Sequence, residues 1–184
     1  NAGTNVVYAG GTVKARANLT SDMKLKMSDI YNAARILKTF NAKRIDGSYI
    51  AIIHPNVSFD LMTSEDWIDV NKYSNAVSIF EGEIGKLGGV RFIESTEAKV
   101  FKKAGSGGVD VYSTLVVGEN AYGVTSVEGG GLEHIVKQNG SSGTADPLNQ
   151  RSTVGWKSSK TAEILVQEYM VRIESGATHE AEIN

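Results

Sequence analysis

Residue types that could carry out hydrolysis occur together in one short segment of the chain. His54, Ser58 and Asp60 supply an imidazole, a hydroxyl and a carboxylate within seven residues. A serine hydrolase needs these three groups in one hydrogen-bonded chain, because the imidazole takes the hydroxyl proton and the carboxylate orients the imidazole. A small hydrolase that uses them is therefore one hypothesis. The alternative, which we favour, is structural: His54 ends a strand, and Ser58 or Asp60 begins a short helix.

Other sequence patterns add little to the case for an active site. The sequence has no Gly-x-Ser-x-Gly turn of the kind that presents a nucleophilic serine. The segment from Gly82 to Lys86 lacks the four-residue gap that precedes Gly-Lys in a phosphate-binding loop. Leu87 then stands where that loop requires Ser or Thr.

The two remaining histidines also have structural interpretations. His134 lies in a predicted strand between Glu133 and Ile135, where a surface-facing polar residue is expected. His179 is followed by Glu180 and Glu182, which are possible metal ligands, but a solvated tail is the interpretation we favour. We therefore predict a protein that is not an enzyme, with no catalytic, cofactor-binding or metal-binding residues and no cofactor.

Length and composition limit the size and the partners of the fold. The chain has 184 residues, of which 41% are hydrophobic and 22% charged, as is ordinary for one globular domain or two small lobes. The net charge of −2, from 19 Lys+Arg against 21 Asp+Glu, argues against a generic nucleic-acid binder. The absence of cysteine excludes disulfides and cysteine-ligated zinc. No apolar run approaches the roughly 20 residues of a membrane span.

Helical patterns dominate the first half of the chain. Apolar residues recur at intervals of three and four, which predicts a helix that begins at 22 or at 29, capped by Ser21 or Ser28: Met27, Ile30, Ala34, Leu37 and Phe40. Ser48 to His54 predicts a central strand that is apolar on both faces and ends at Pro55. The capping-box spacing of residues 63–66 predicts a further helix carrying Trp67, Ile68 and Val70.

Strand patterns dominate the second half, so the predicted class is α+β. Gly88-Gly89 between two β-like runs predicts a tight hairpin. Further strands are predicted at 109–117 and 132–137, and a half-exposed one at 163–174. Between them, 138–153 predicts a long polar loop, mobile over 138–144 and ordered over 146–156. Its far end is expected to be anchored in the core by Leu148, Val154 and Trp156.

Six stretches of the sequence, in order, resemble the major capsid proteins of tailed bacteriophages, in particular the branch named after coliphage N-four. Most specific are Gly-Glu-Ile-Gly before Gly-Val-Arg-Phe, and Asp-Pro-Leu-Asn-Gln-Arg before Gly-Trp-Lys. The resemblance covers roughly residues 3 to 175, and the matching stretches are 3–11, 36–42, 49–55, 60–61, 82–94 and 146–157.

The resemblance implies the Hong Kong 97 shell fold, with a spine helix, a peripheral sub-domain and an axial sub-domain. It implies a peripheral part at 3–97 with the spine helix at 22–41, and an axial part at about 98–150. Return strands to the peripheral part are expected at 151–175, and a flexible tail at 176–184. Residues 1–2 are interpreted as a tag scar. Because family members have an N-terminal arm and an extended loop before this point, we expect the chain to be monomeric or weakly associated.

The function implied by the resemblance is structural. The chain is expected to be the core of a phage major capsid subunit, which self-assembles into hexamers and pentamers of an icosahedral head. The head encloses DNA without sequence-specific binding, and scaffolding and decoration proteins are expected partners, with no membrane contact. The expected location is the virion, assembled in the cytoplasm of a bacterial host. An encapsulin-like nanocompartment shell is the first alternative, and the hydrolase with His54, Ser58 and Asp60 is the second.

Overall fold

The computed structural model describes residues 5–11, 13–68, 85–125, 130–141 and 143–180. The chain divides into two compact units. Unit 1 comprises Asn1–Ala121 together with Val166–Asn184, and unit 2 comprises Tyr122–Leu165. Within the described residues, no helix has the length and apolar character needed to cross a membrane.

Both units are built mainly from strands, and the helices lie in unit 1. The helices are α1 (Met27–Thr39) and α2 (Pro55–Thr63), and a further helical turn occupies residues 65–68. The strands in chain order are β1 (Val6–Tyr8), β2 (Tyr49–Ile53), β3 (Lys86–Leu87), β4 (Val90–Glu94), β5 (Val100–Phe101), β6 (Val111–Val117), β7 (Tyr122–Val124), β8 (Glu133–Lys137), β9 (Thr153–Lys157), β10 (Ala162–Ile164) and β11 (Met170–Ser175).

Unit 1 is organised around a seven-stranded mixed sheet with the order β1-β11-β6-β2-β4-β3, in which β5 also pairs with β6. Strand β2 runs parallel to β4 and antiparallel to β6, so it lies inside the sheet. Its side chains alternate between buried and half-buried, which confirms the predicted central strand. Tyr49, Ala51 and Ile53 join the main hydrophobic core with Ile30 and Leu37 of α1.

The predicted hairpin at Gly88-Gly89 is confirmed. Strands β3 and β4 pair antiparallel, with Leu87 directly opposite Val90. Gly88 and Gly89 have φ of 59° and 83°, the left-handed values that a two-residue turn of this type requires and that glycine adopts without steric cost.

Helix α1 is shorter than the predicted spine helix at 22–41. It begins at Met27 with Lys26 as its N-cap, so neither Ser21 nor Ser28 caps it. The Asp29 carboxylate accepts the Lys26 backbone N–H at 3.2 Å, which satisfies one of the free donors of the first turn. With 13 residues, α1 is about 20 Å long. The predicted buried face is confirmed except at Phe40, which is the exposed C-cap of the helix. Apolar periodicity did not predict the start, because the start depends on this local hydrogen bond.

The predicted strand at 163–174 is instead two strands in different units. Strand β10 pairs with β7 in unit 2, and β11 pairs with β1 and β6 in unit 1. A short 3-10 turn, Gln167–Tyr169, separates them. The expectation of half exposure is wrong for β11, whose Val171, Ile173 and Glu174 are fully buried, because the strand lies inside the sheet and helix α1 packs against it.

Unit 2 consists of two antiparallel two-stranded ribbons, β7 with β10 and β8 with β9. The two ribbons are built from the same two chain segments. Between the ribbons, these segments stay hydrogen-bonded through the Thr125 N–H to the Thr161 carbonyl oxygen and the Ser159 N–H to the Gly130 carbonyl oxygen. Strand β8 confirms the predicted strand at 132–137, and the loop from 138 to 152 joins it to β9. The ribbon β8–β9 is exposed on almost all its residues.

The predicted core anchors of the 138–153 loop are wrong. Leu148, Val154 and Trp156 are 73%, 70% and 75% exposed. Apolar residues in a strand are buried only where a second layer covers the strand, and sequence patterns do not show whether that layer exists.

The predicted division into peripheral, axial and return segments stays a prediction. Val70 of the predicted further helix lies outside the described residues, and so do residues 1–2. The mobility expected of 176–184 also stays a prediction, whereas the positions of residues 176–180 are defined by contacts with the rest of unit 1.

Candidate functional site

His54 is the N-cap of helix α2. Its Nδ1 atom accepts a hydrogen bond from the Asn56 backbone N–H at 3.2 Å, so the neutral ring carries its proton on Nε2. The ring also packs against the Tyr112 ring, with centroids 5.0 Å apart. Burial lowers the pKa of His54 below its usual value, because a partly desolvated imidazole is harder to charge. In a triad, one ring nitrogen acts as the base and the other donates a hydrogen bond to the carboxylate. In His54, the start of helix α2 occupies Nδ1 instead.

Ser58 lies one turn further along α2 and is 1% exposed. Its hydroxyl lies 3.0 Å from the Pro55 carbonyl oxygen and is hydrogen-bonded to the Glu94 carboxylate on β4. A serine hydroxyl that donates to a carboxylate from another element ties helix α2 to the sheet. It is buried rather than presented at a surface, which is the opposite of what a nucleophile requires.

Asp60 is also buried, and it holds the segment that follows β11. Its carboxylate accepts the Thr178 backbone N–H at 2.7 Å and the Thr178 hydroxyl at 2.6 Å. Lys24 approaches the same carboxylate at 3.4 Å. Asp60 therefore links α2 to residues 176–180 through its hydrogen bonds with Thr178.

The three residues of the hydrolase hypothesis are thus near one another in sequence but do not form a triad. Each of His54, Ser58 and Asp60 makes its hydrogen bonds to a different partner, and none of these bonds joins two of the three side chains. The structural interpretation of His54 is confirmed, because the residue follows the end of β2 and precedes a short helix. The helix begins earlier than expected, however, at Pro55 rather than at Ser58 or Asp60, because Pro fits the first helical position and His54 supplies the cap.

Two residues that the sequence did not single out complete this cluster. Asn56 donates its side-chain N–H groups to the Tyr112 hydroxyl at 3.0 Å and to the Glu180 carbonyl oxygen at 3.0 Å. The Tyr112 hydroxyl donates in turn to the His179 carbonyl oxygen at 2.8 Å. These contacts join positions 56 to 124 residues apart, so no local pattern indicates them. The cluster fixes residues 179–180 on α2 and β6.

The remaining histidines are placed as follows. His134 is exposed on β8, opposite Trp156 of β9, in agreement with a surface-facing residue. The His179 ring contacts the Phe59 ring edge-on, with centroids 5.4 Å apart. Within the part of the chain that the structure describes, no group of three or more His, Cys, Asp or Glu side chains could hold a metal ion.

A buried ion cluster lies in the sheet of unit 1. Glu174 on β11 is fully buried and accepts two hydrogen bonds from Arg16, at 2.8 and 2.7 Å. Arg172 reaches the same carboxylate at 2.7 Å. The Arg16 guanidinium lies 3.5 Å from the centroid of the Phe101 ring, in cation–π geometry. The hydrogen bond to Glu174 raises the pKa of Arg16 above its usual value. It pins residue 16 to β11 and is a structural element.

Exposed apolar side chains are concentrated in unit 2. Among the described residues of unit 2, none is a buried hydrophobic residue. Of the residues that the structure describes, nine large hydrophobic ones in unit 2 are exposed, against six in the much longer unit 1. The nine are Tyr122, Val124, Leu132, Val136, Leu148, Val154, Trp156, Ile164 and Leu165. Such a distribution is typical of a surface that contacts another protein.

Comparison with solved structures finds proteins that share this fold. The capsid of Ralstonia phage GP4 superposes with a TM-score of 0.69 at 15% identity, over 99% of this chain and 55% of that one. The cyanophage Pam1 capsid gives a TM-score of 0.77 at 14% identity, over 96% and 55%. A holo-SrpI encapsulin complex from Synechococcus elongatus PCC 7942 gives 0.58 at 13% identity, over 100% and 58%. The chain thus spans about half the length of these proteins.

These likenesses show the fold, which is the Hong Kong 97-like capsid fold expected from the sequence. Among curated protein sequences, none matches the chain. The family model described as phage capsid protein matches residues 1–140, about three quarters of the sequence. The encapsulin shares the fold alone, whereas the phage family is matched by sequence as well. The chain therefore belongs to the phage capsid protein family.

Proposed function

We propose that this chain is the core of a major capsid subunit of a tailed phage, which self-assembles into the icosahedral head that encloses the genome. The observation that carries the proposal is the family match over residues 1–140, on a chain with the capsid fold. Hexamers and pentamers of the complete protein would form the shell. Scaffolding and decoration proteins would be its further partners, and the assembled protein would reside in the virion after assembly in the host cytoplasm.

The polar clusters of unit 1 support a structural role. The residues with the chemistry of a hydrolase instead cap a helix, tie it to the sheet and clamp the segment after β11. A shell subunit must keep its shape under load, and buried charged and polar networks that link distant parts of the chain provide that rigidity. We therefore also propose that the protein catalyses no reaction.

The charge of the chain fits a container better than a DNA-binding protein. With a net charge of −2, this chain has no overall electrostatic attraction to the phosphate backbone. A shell that encloses DNA without sequence-specific contacts does not require such attraction.

The test is expression of the complete protein that contains these 184 residues, with electron microscopy of the purified product. Closed icosahedral shells are expected. Particles from a lysate of infected cells are then treated with nuclease and their contents analysed. Protected DNA supports the capsid. Particles that hold a protein cargo and no DNA would favour the encapsulin alternative, and a soluble monomer with hydrolytic activity would overturn the proposal.

A further inference from the structure

We propose that one face of the β8–β9 ribbon is a contact surface for a second copy of this protein. We call it the ribbon face and define it by His134, Val136, Val154 and Trp156. The inference rests on the proposed function and deepens it, because it names the residues through which one subunit would contact another.

The register of the ribbon places these four side chains on the same side. His134 lies directly opposite Trp156, and Val136 lies directly opposite Val154. Side chains of directly paired residues point to the same face of a ribbon, and so do residues that are two positions apart along one strand. Val136, Val154 and Trp156 are 50%, 70% and 75% exposed. They form a contiguous apolar strip.

The opposite face of the same ribbon is charged at both ends. Glu133 and Lys157 are paired there by an ion pair of 2.7 Å, and Lys137 lies opposite Thr153. Ile135 lies between these pairs and is half-buried, so its apolar side chain is partly covered. The ribbon is therefore amphipathic, with its charged side suited to water. The ribbon face carries no Lys or Arg, which disfavours a nucleic acid or an anionic lipid surface as its partner. An apolar protein surface is the partner that this chemistry fits.

The ribbon also lacks a packed layer that would stabilise it. A two-stranded ribbon is at best marginally stable in water without a layer packed on one face. Among the described residues, no third strand pairs with β8 or β9, and none of the hydrophobic residues of unit 2 is buried. A covering surface would therefore both bury the strip and complete the ribbon.

A second copy is the occupant we infer, because the matched structures are phage capsids and the Pam1 structure is that of a capsid asymmetric unit. The size of the strip sets the expected strength. A stable interface buries about 800 Å² on each partner, and a large aromatic side chain supplies only about 150–250 Å². One strip with a single tryptophan is too small for a tight dimer, so the contact should be weak in solution and strengthened by multiplicity in a shell.

The test measures self-association of the 184-residue chain by sedimentation equilibrium up to about 1 mM, where a contact of −4 kcal/mol is half populated. The wild type is expected to associate weakly. Val154→Asp places a charge on the ribbon face and should raise the dissociation constant at least about tenfold. Thr153→Asp adds the same charge to the neighbouring residue on the polar face, and should change the dissociation constant by less than about twofold. Circular dichroism and thermal melts of both variants check that they fold alike.

A second measurement follows Trp156 directly. Trp67 is buried against Phe92, so Trp67→Phe leaves Trp156 as the sole fluorophore of its kind. Acrylamide quenching of Trp156 should decrease as the concentration rises and the ribbon face becomes covered.

The inference is overturned if the wild type stays monomeric at about 1 mM, if Val154→Asp associates as well as Thr153→Asp, or if Trp156 stays equally accessible in the associated state. None of these results affects the proposed function, which is decided by whether the complete protein forms shells.

Discussion

At the scale of single residues, His54 illustrates how a residue type suited to catalysis serves to begin a helix. We predict that His54→Ala lowers the free energy of unfolding by about 1 kcal/mol, the usual cost of losing an N-cap acceptor. Burial lowers the pKa of folded His54 below that of the unfolded chain, so the unfolded state binds the proton more readily. The stabilisation is therefore present above the unfolded pKa of about 6.5 and is lost as the pH falls through the folded pKa.

The measurement is urea denaturation of wild type and variant at several pH values between about 7.5 and 4.5. The difference between the two proteins should shrink as the pH falls, and using the difference removes the pH-dependent contributions that both proteins share. A constant difference would contradict the role of Nδ1 as the acceptor. A hydrolytic activity that His54→Ala abolishes would contradict the structural role altogether.

A second residue-scale prediction concerns the buried carboxylate of the ion cluster. Glu174→Gln should lower the free energy of unfolding by about 3 kcal/mol, because Arg16 and Arg172 would be left partly buried without a counter-charge. Glu97→Gln is the matched control, since Glu97 is exposed in a turn, and it should change the stability by less than about 0.5 kcal/mol. Equal effects of the two substitutions in chemical denaturation would show that the cluster contributes no stability.

At the scale of elements, the β3–β4 turn requires glycine at both of its positions, and Gly88 is required for a second reason as well. Both have positive φ, so replacing either by alanine should cost about 1–2 kcal/mol. A Cβ atom at Gly88 would in addition lie 2.5 Å from the Tyr31 ring, whereas at Gly89 the nearest atom is 3.9 Å away on Arg44. We predict that Gly88→Ala is more destabilising than Gly89→Ala. In a Tyr31→Ala background the difference should disappear, and its persistence in thermal melts would contradict the steric explanation.

The loop between β8 and β9 has two halves with different supports. In the second half, the Asp146 carboxylate accepts the Arg151 backbone N–H at 2.7 Å, and the Asn149 N–H bonds to the Asp146 carbonyl oxygen. In the first half, Asn139 to Ser141 is polar and exposed. We predict higher ¹⁵N order parameters at 146–151 than at 138–141, and a decrease at 146–151 in Asp146→Ala. Uniform order across the loop would contradict this.

Local patterns predicted the elements whose causes are local, and missed those that depend on distant parts of the chain. Two glycines between β-like runs determine a hairpin by turn geometry alone, and β2 is recognisable because it is apolar on both faces. The break after β10 was missed because the alternation of residues 163–174 continues across it, while the two halves pair with different sheets. Large aromatic residues are usually buried, so the sequence predicts Trp156 in the core. Its side chain is exposed because, among the described residues, no second layer covers strand β9. His54, Ser58 and Asp60 form no triad for a similar reason: they lie within two turns at the start of α2, but long-range contacts decide the partners of Ser58 and Asp60.

At the scale of the whole molecule, the two units differ in how they are stabilised. Unit 1 buries a contiguous core across its sheet and α1, whereas the described part of unit 2 has hydrogen-bonded ribbons and no buried hydrophobic residue. Opening a ribbon exposes little additional apolar surface, so it costs less free energy than opening the central sheet. At micromolar concentration, where the chain is expected to be monomeric, amide hydrogen exchange should therefore be much faster in β8 and β9 than in β2, β6 and β11.

The control for this comparison is the same measurement near about 1 mM, where weak contacts of the ribbon face are populated. Protection of β9 should then increase while that of β6 stays constant, because only the ribbon gains a covering layer. Equal protection of the two units at micromolar concentration would show that unit 2 is stabilised by interactions within the monomer, and its exposed tryptophan would then need another explanation. If the predicted difference is found, the subunit combines a rigid sheet with a ribbon that becomes stable only on contact with a neighbour, which would make assembly itself a step in folding.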